Sequence, residues 1–232
     1  MISVKNKTVF ITGAGSGIGL ATAKKFLSQK ANVVIFTKNK PLKKIESKNA
    51  LTIIGSVTSR NEVRNAMKKA IKKFGSLDIL INNAAVAQRK DFLKTTQKEW
   101  DFMIDVNIKG VLICMQEFIK LCQASNQCLD KTIINISSGA GIYGIKEITI
   151  YSATKAAVIN ITQGVNEELK DLGIRFIAVC PGSTKTRMFK DLFPNQKAHH
   201  TPQQVAEVIY KTVVGEIKPD KRLIVDVFHH AK

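Results

Sequence analysis

The chain has 232 residues, 44% of them hydrophobic, enough for a sizeable core, and no linker, repeat or low-complexity tract divides it, so one domain over 1–232 is expected. No apolar run approaches the ~20 residues of a membrane span, and the start, "MISVKNKTVFITG", moves directly into a strand-like run rather than a signal peptide. The formal net charge of +18 is spread over many helical stretches such as "RNEVRNAMKKAIKKFG", a pattern of solvated faces rather than of a nucleic-acid stripe, so neither a specific nucleic acid nor a membrane is expected as a partner.

Along the chain, short runs rich in Val and Ile predict strands at 8–12, 32–37, 51–54, 77–82, 131–137, 174–180 and 222–228. They are apolar on both faces, as buried parallel strands are. Helical spacing fills most of the gaps, at about 17–29, 40–47, 60–74, 100–125, 151–171 and 202–215. This alternation implies an α/β protein with a doubly wound, seven-stranded parallel sheet and helices on both faces. Such sheets bind ligands at the carboxyl ends of their strands, near the switch in strand order. The four cysteines (Cys114, Cys122, Cys128 and Cys180) lack metal-ligand spacing and read as reduced thiols of a cytoplasmic protein.

The first strand runs into "TGAGSGIG" (12–19), which opens the first helix. Gly13 permits a tight turn, and Gly17 and Gly19 let the backbone approach a pyrophosphate and pack the helix close to the sheet. Ser16 and Ile18 belong to the same turn, and the helix N-terminus offers free N–H groups to phosphates. A Rossmann-type dinucleotide site follows. Further along, "YSATK" places Tyr151 and Lys155 on one helical face with only small residues between them.

The glycine spacing is G-x-x-x-G-x-G, and here the sequence resembles the short-chain dehydrogenase/reductase family. The other marks of that family appear in order: "NNAA" (82–85) with Asn83 and Ala84, Asn107 in "DVNIKG", "NISS" (135–138), Y-x-x-x-K at Tyr151 and Lys155, and "PGSTKT" (181–186). The resemblance covers nearly the whole chain. It implies hydride transfer between a nicotinamide cofactor and a carbonyl/alcohol pair. Tyr151 is then the proton donor and acceptor, and the Lys155 ammonium lowers the phenol's pKa from about 10. Ser138 holds the substrate oxygen, and Asn107 holds a water linking Lys155 to solvent. Pro181, Gly182, Thr184 and Thr186 join the cofactor site.

After the second strand, Thr37 and Lys38 stand where NAD users commonly place an acid for the ribose 2′-hydroxyl. That pairing resembles members using NADP, so NADP(H) is favoured over NAD(H), with Lys40, Lys43 and Lys44 adding charge nearby. Ser56 precedes Val57 where the family often has Asp-Val, and Ala85 replaces a usual glycine. The ending "IVDVFHHAK" lacks the family's D-G-G, which bears on tetramer formation. The pairs His199–His200 and His229–His230 read as solvated rather than as metal ligands, so no metal is expected.

In "RMFKDLFPNQKAHH" (187–200), Met188, Phe189, Leu192 and Phe193 are spaced as one apolar face. With Ile142 and Tyr143 they would line a pocket for an apolar carbonyl or alcohol, Met188, Phe189, Ile142 and Tyr143 joining Ser138 and Tyr151 around the substrate. The basic surface also suits a substrate carried on an acidic protein. Association is expected through Val111, Leu112, Met115 and Phe118 of one helix and Val158, Ile161 and Val165 of another, giving at least a dimer. The alternative to an enzyme is a catalytically silent dinucleotide sensor or interaction protein on the same fold; such proteins tend to lose the tyrosine or the lysine.

Overall fold

The computed structural model describes residues 2–41 and 45–231. Seven strands form one parallel sheet: β1 (Thr8–Thr12), β2 (Asn32–Thr37), β3 (Ala50–Ile54), β4 (Ile79–Asn82), β5 (Thr132–Ile136), β6 (Arg175–Cys180) and β7 (Ile224–Asp226). Their order is β3-β2-β1-β4-β5-β6-β7, so the direction of winding reverses between β1 and β4. The helices are α1 (Gly17–Ser28), α2 (Arg60–Phe74), α3 (Gln97–Ile104), α4 (Gly110–Ala124), α5 (Gly139–Ile142), α6 (Thr149–Leu169), α7 (Arg187–Leu192), α8 (Pro202–Val214) and α9 (Val227–His230).

Side chains alternate across each strand, which gives the sheet two cores. Val9, Ile11, Val33, Ile35, Ile79 and Ile81 face α1 and α8, where Phe26 meets Tyr210 edge-on. Phe10, Val34, Phe36, Leu80, Ile133 and Phe176 face α2, α4 and α6. Both sets are fully or nearly fully buried, which is why the strands read as unbroken apolar runs.

Three expected elements differ. Within 40–47, residues 40–41 and 45–47 are not helical, and Leu42, Lys43 and Lys44 lie outside the described residues. Pro41 biases Lys40 away from helical angles, and Ile45 packs against the core. The helix expected at 100–125 starts earlier, where Thr96 donates its N–H to Glu99 at 2.7 Å, and it is broken by a π-turn at Asp105–Lys109. The last strand is short: Asp226 accepts the N–H of Phe228 at 3.0 Å and starts a helical turn.

Candidate active site

A cleft of about 1010 Å³ opens along the carboxyl ends of the strands, over the switch between β1 and β4. One end is built by the glycine turn. Gly13 has φ +65°, and a Cβ there would fall 2.8 Å from the Ala84 backbone. Thr12 stitches this turn to the loop after β4: its hydroxyl accepts from the N–H groups of Asn83 and Ala84 at 3.0 and 2.9 Å. The Asn83 amide answers by donating to the Thr12 and Gly13 carbonyls at 2.9 and 3.2 Å. A Cβ on Gly19 would meet that amide at 2.5 Å, so this glycine serves helix packing and does not face the cleft.

The first turn of α1 carries no acidic residue, and the exposed Ser16 at its start makes no capping hydrogen bond with its side chain. Its leading N–H groups and the helix dipole therefore point at the cleft without a local anion to satisfy them. Gly13, Ser16, Gly17, Ile18, Thr37, Lys38, Ser56, Val57, Asn83, Ala84, Pro181, Gly182, Thr184 and Thr186 all line this cleft. The residues thus fit a dinucleotide: a cradle without side chains, a helix N-terminus for the pyrophosphate, and an apolar floor at Val57. The Thr184 hydroxyl donates to the Gly182 carbonyl at 3.0 Å, so it braces the loop.

At the middle of the cleft α6 presents Tyr151 and Lys155 on the face turned toward Ser138. Lys155 is 3% exposed, and its ammonium donates to the Ile136 carbonyl at 2.7 Å. α6 can lie this close because Gly141 has no side chain: a Cβ there would sit 2.7 Å from the Lys155 backbone. Ser137 adds a hydrogen bond to the Lys155 carbonyl at 2.7 Å. The Ser138 hydroxyl accepts the N–H of Ala140 at 3.1 Å at the start of α5.

Burial pushes the Tyr151 phenol up to about 12, with a hydrogen bond to Ser138 drawing it back and Cys180 adding a smaller upward push. Burial pushes Lys155 down to about 8, against a small upward pull from Cys180. The expected lowering of Tyr151 by Lys155 is therefore not a property of the protein alone. The ammonium stands 5.8 Å from the Tyr151 ring centre, bonded to Ile136, and desolvation of the phenolate outweighs it.

Asn107 is fully buried in the π-turn. Its carbonyl oxygen accepts from the Val86 N–H at 2.8 Å, and its amide donates to the Val86 carbonyl at 2.8 Å and to Thr154 at 3.0 Å. Both donors are committed to protein, so the side chain fixes the loop after β4 and does not reach the cleft. Ile142 also misses the cleft: it packs below with Ile159, Ala178, Cys180 and Ile224. Tyr143, Met188 and Phe189 do line it.

Residues not assigned from the sequence complete the walls: Val86, Phe102, Ile145, Ile148, and Lys24 on α1. Ile145 and Ile148 sit between two motifs, where an apolar residue carries no spacing signal. His200 is buried rather than solvated, 6% exposed, and burial lowers its pKa. His199 accepts or donates a hydrogen bond to Ser183 at 2.7 Å.

Known proteins align with this arrangement over most of the chain. A family model described as short chain dehydrogenase matches residues 7–197. An uncharacterized oxidoreductase of Staphylococcus aureus is 37% identical over 216 residues, 90% of this chain and 91% of the relative. One from Staphylococcus saprophyticus is 35% identical over 217 residues, 89% and 91% of the two chains. Among solved structures, a 3-ketoacyl-(acyl-carrier-protein) reductase of Brucella melitensis complexed with NADH superposes with TM-score 0.85 at 29% identity, covering 97% of this chain and 98% of that one. A ligand-free aldohexose dehydrogenase of Thermoplasma acidophilum shares the fold at TM-score 0.80 and 24% identity, covering 97% and 94%. The glycine turn over a β1/β4 switch, with tyrosine, lysine and serine meeting beside it, has its explanation in that kinship: the chain belongs to the short-chain dehydrogenases, a family of oxidoreductases that use a nicotinamide dinucleotide.

Proposed function

We propose that the protein interconverts a carbonyl compound and its alcohol with NADP(H), using Tyr151 as the proton donor and acceptor. The observation that carries this reading is the meeting of Tyr151, Lys155 and Ser138 on one wall of the cleft, beyond a cradle that fits a dinucleotide. When bound, the nicotinamide supplies or accepts the hydride. The chain's own groups handle the proton. A phenol held at about 12 stays protonated at neutral pH, so Tyr151 starts as an acid, the state that carbonyl reduction requires. In this reading Ser138, beside it at the start of α5, turns its hydroxyl from the Pro181 carbonyl, 3.4 Å away, to the substrate oxygen. Lys155, buried and largely charged at neutral pH, is the cation that stabilises the phenolate left after the proton has gone.

Exposed apolar side chains support an apolar substrate. Phe102, Tyr143, Ile145 and Met188 are 49%, 69%, 40% and 36% exposed, and all four line the cleft. The NADP(H) preference rests on Thr37 and Lys38, with no carboxylate at the end of β2. Among the described residues no helix is long and apolar enough to cross a membrane, and all four thiols are free, which suits a protein of the reducing cytoplasm. Self-association through the outer faces of α4 and α6 completes the reading.

Replacing Tyr151 with Phe removes the proton and leaves the ring. Reduction of a panel of ketones and aldehydes should fall by about 10²–10⁴-fold, while cofactor affinity, read by titration of NADPH fluorescence, stays unchanged. Near-normal turnover in the variant would remove Tyr151 from its role. A wild type that binds NADPH but turns over no carbonyl or alcohol would favour a silent sensor.

A further inference from the structure

We propose that Arg89 is the specificity-determining residue at the substrate end of the cleft: it ties three rim segments together and restricts the site to compact, uncharged carbonyl compounds. This rests on the carbonyl/alcohol reading above and adds the substrate class to it. Arg89 lies in the loop after β4. Its Nε and Nη2 both donate to one carboxylate oxygen of Glu147, at 2.8 and 2.5 Å. Its Nη1 donates to the Leu192 carbonyl at 3.2 Å, at the end of α7. The guanidinium carbon also stacks 5.1 Å from the centre of the Phe193 ring. A backbone bond joins the same segments, from the Lys90 N–H to the Glu147 carbonyl at 2.7 Å.

The three segments meeting at this guanidinium are the walls of the substrate end. Tyr143, Ile145 and Ile148 flank Glu147 and line the cleft; Leu192 and Phe193 line it from the other side. Glu147 has φ +66°, an uncommon conformation for a non-glycine residue, and its side chain and carbonyl are both held by the 89–90 segment. One side chain thus spans the distance between the loop before α6 and helix α7, behind the walls rather than inside the cleft. It sets how far those walls can part: a long substrate needs them parted, a short one does not.

The strap also sets the charge of the site. Arg89 is a cation held beside the substrate end, and its fork is spent on Glu147 and Leu192. Neither Arg89 nor Glu147 lines the cleft itself; the basic residues that do, apart from Lys155, are Lys24, Lys38, Lys185 and Arg187. Lys24 is on α1 and Lys38 follows β2. Lys185 and Arg187 flank Thr186, whose methyl would lie 3.3 Å from a Cβ on Gly17, and Arg187 pairs with Asp191 at 3.6 Å. Among the described residues lining the substrate end, Lys155 apart, none offers a cation to a carboxylate or phosphate, and an anion there would lose its hydration without compensation.

The ion pair is half exposed, with side chains 39% and 30% accessible. Such pairs contribute little to global stability, so removing it should leave the fold intact. The test uses acetophenone, para-butylacetophenone and the anionic para-acetylbenzoate with wild type, Arg89→Ala and Glu147→Gln. Binding is read by calorimetry in the presence of NADPH, turnover by NADPH consumption, and the order of the wall segments by amide hydrogen exchange without ligand. Wild type should favour acetophenone over its butyl homologue by about tenfold or more, and reject para-acetylbenzoate. Both variants should erase the length preference, keep acetophenone binding, and lose exchange protection in 143–148 and 187–196 only. Equal length profiles in wild type and variants, or exchange unchanged in those segments, would overturn the strap. So would wild type binding the butyl compound or the anion as well as acetophenone, the outcome expected of a site for carrier-bound chains. Absent turnover with the length-dependent binding intact would instead sink the catalytic reading and leave the strap standing.

Discussion

Thr37 shows what a single position can and cannot tell in advance. The absence of a carboxylate after β2 was legible, because the 2′ position of the ribose is read there. The direction of the threonine side chain was not. Thr37 is 8% exposed; its hydroxyl donates to the Asn39 carbonyl at 3.1 Å and lies 2.7 Å from where a Cβ on Gly15 would be. It closes the turn against the glycine loop, and the exposed Lys38 is the side chain left to meet a phosphate. Lys38→Ala should therefore weaken NADPH while leaving NADH nearly unchanged, by roughly tenfold to a hundredfold for one charge-assisted contact. Thr37→Asp should also weaken NADPH relative to NADH, since a carboxylate added at the end of β2 repels the phosphate. Direct titration of both cofactors decides this without a substrate, and equal affinities in wild type would end the NADP(H) reading. Tyr151 and Lys155 were legible for a related reason: their spacing on a helix is local. The pKa of Tyr151 was not, because it depends on how much protein from other segments covers the phenol.

Elements were legible where their pattern is periodic and obscure where one buried contact decides. All seven strands and five of the six expected helices stand close to where apolar periodicity puts them. The π-turn at Asp105–Lys109 has no periodic signature; it exists where Asn107 turns its amide inward to Val86 and Thr154. Asp78, just before β4, fell inside the strand expected at 77–82 and carried no pattern that singled it out. It is 4% exposed and joins three strands at their amino ends: it accepts from the Thr8 N–H at 2.8 Å, from Ser76 at 2.6 Å and from the buried Lys131 at 2.8 Å. Burial pushes its carboxyl up, but the bonds from Lys131, Ser76 and Thr8 outweigh it, and the net pKa lies below the ordinary value. A carboxylate with a lowered folded-state pKa stabilises the protein fully above its unfolded pKa of about 3.9, and that contribution is lost as the pH falls through the folded value. Asp78→Asn leaves the Lys131 ammonium buried without its counter-ion and should cost about 3–5 kcal/mol at neutral pH. In urea melts the gap between wild type and variant should hold at neutral pH and narrow as the pH drops below about 4. A gap that stays constant down the acid range would show that the carboxylate's charge contributes nothing.

At the scale of the molecule two long helices, α4 and α6, pack on one face of the sheet and keep exposed residues on their outer sides. Most of the apolar residues expected there for association are spent at home: Val111, Met115, Phe118 and Val158 are at most 5% exposed and pack under the sheet. Periodicity could not separate them from the outward ones, because both helices are broad in their apolar faces and the sequence does not state which stripe the sheet takes. Ile161 and Val165 are partly buried and pack against the same core; what remains outside is the half-buried Leu112, with the exposed small residues Ala153, Ala156 and Gly164. Gly164 is the informative one. It sits well inside α6, where glycine costs about 0.5–1 kcal/mol relative to alanine, and a Cβ added there would meet nothing within 4 Å. Nothing among the described residues requires its missing side chain, whereas a second α6 crossing close by would. A symmetric dimer would place the same glycine on both sides of that crossing. The protein should scatter light as at least a dimer at micromolar concentration. Gly164→Glu should then fold with unchanged or slightly higher stability, having gained a better helix former, and yet scatter as a monomer, because two carboxylates and two side chains would meet at the crossing. A wild type that is monomeric would remove the interface altogether. An unaltered dimer in the variant would move it off this face, and the cost of Gly164 would then have to be sought in some contact other than a second copy.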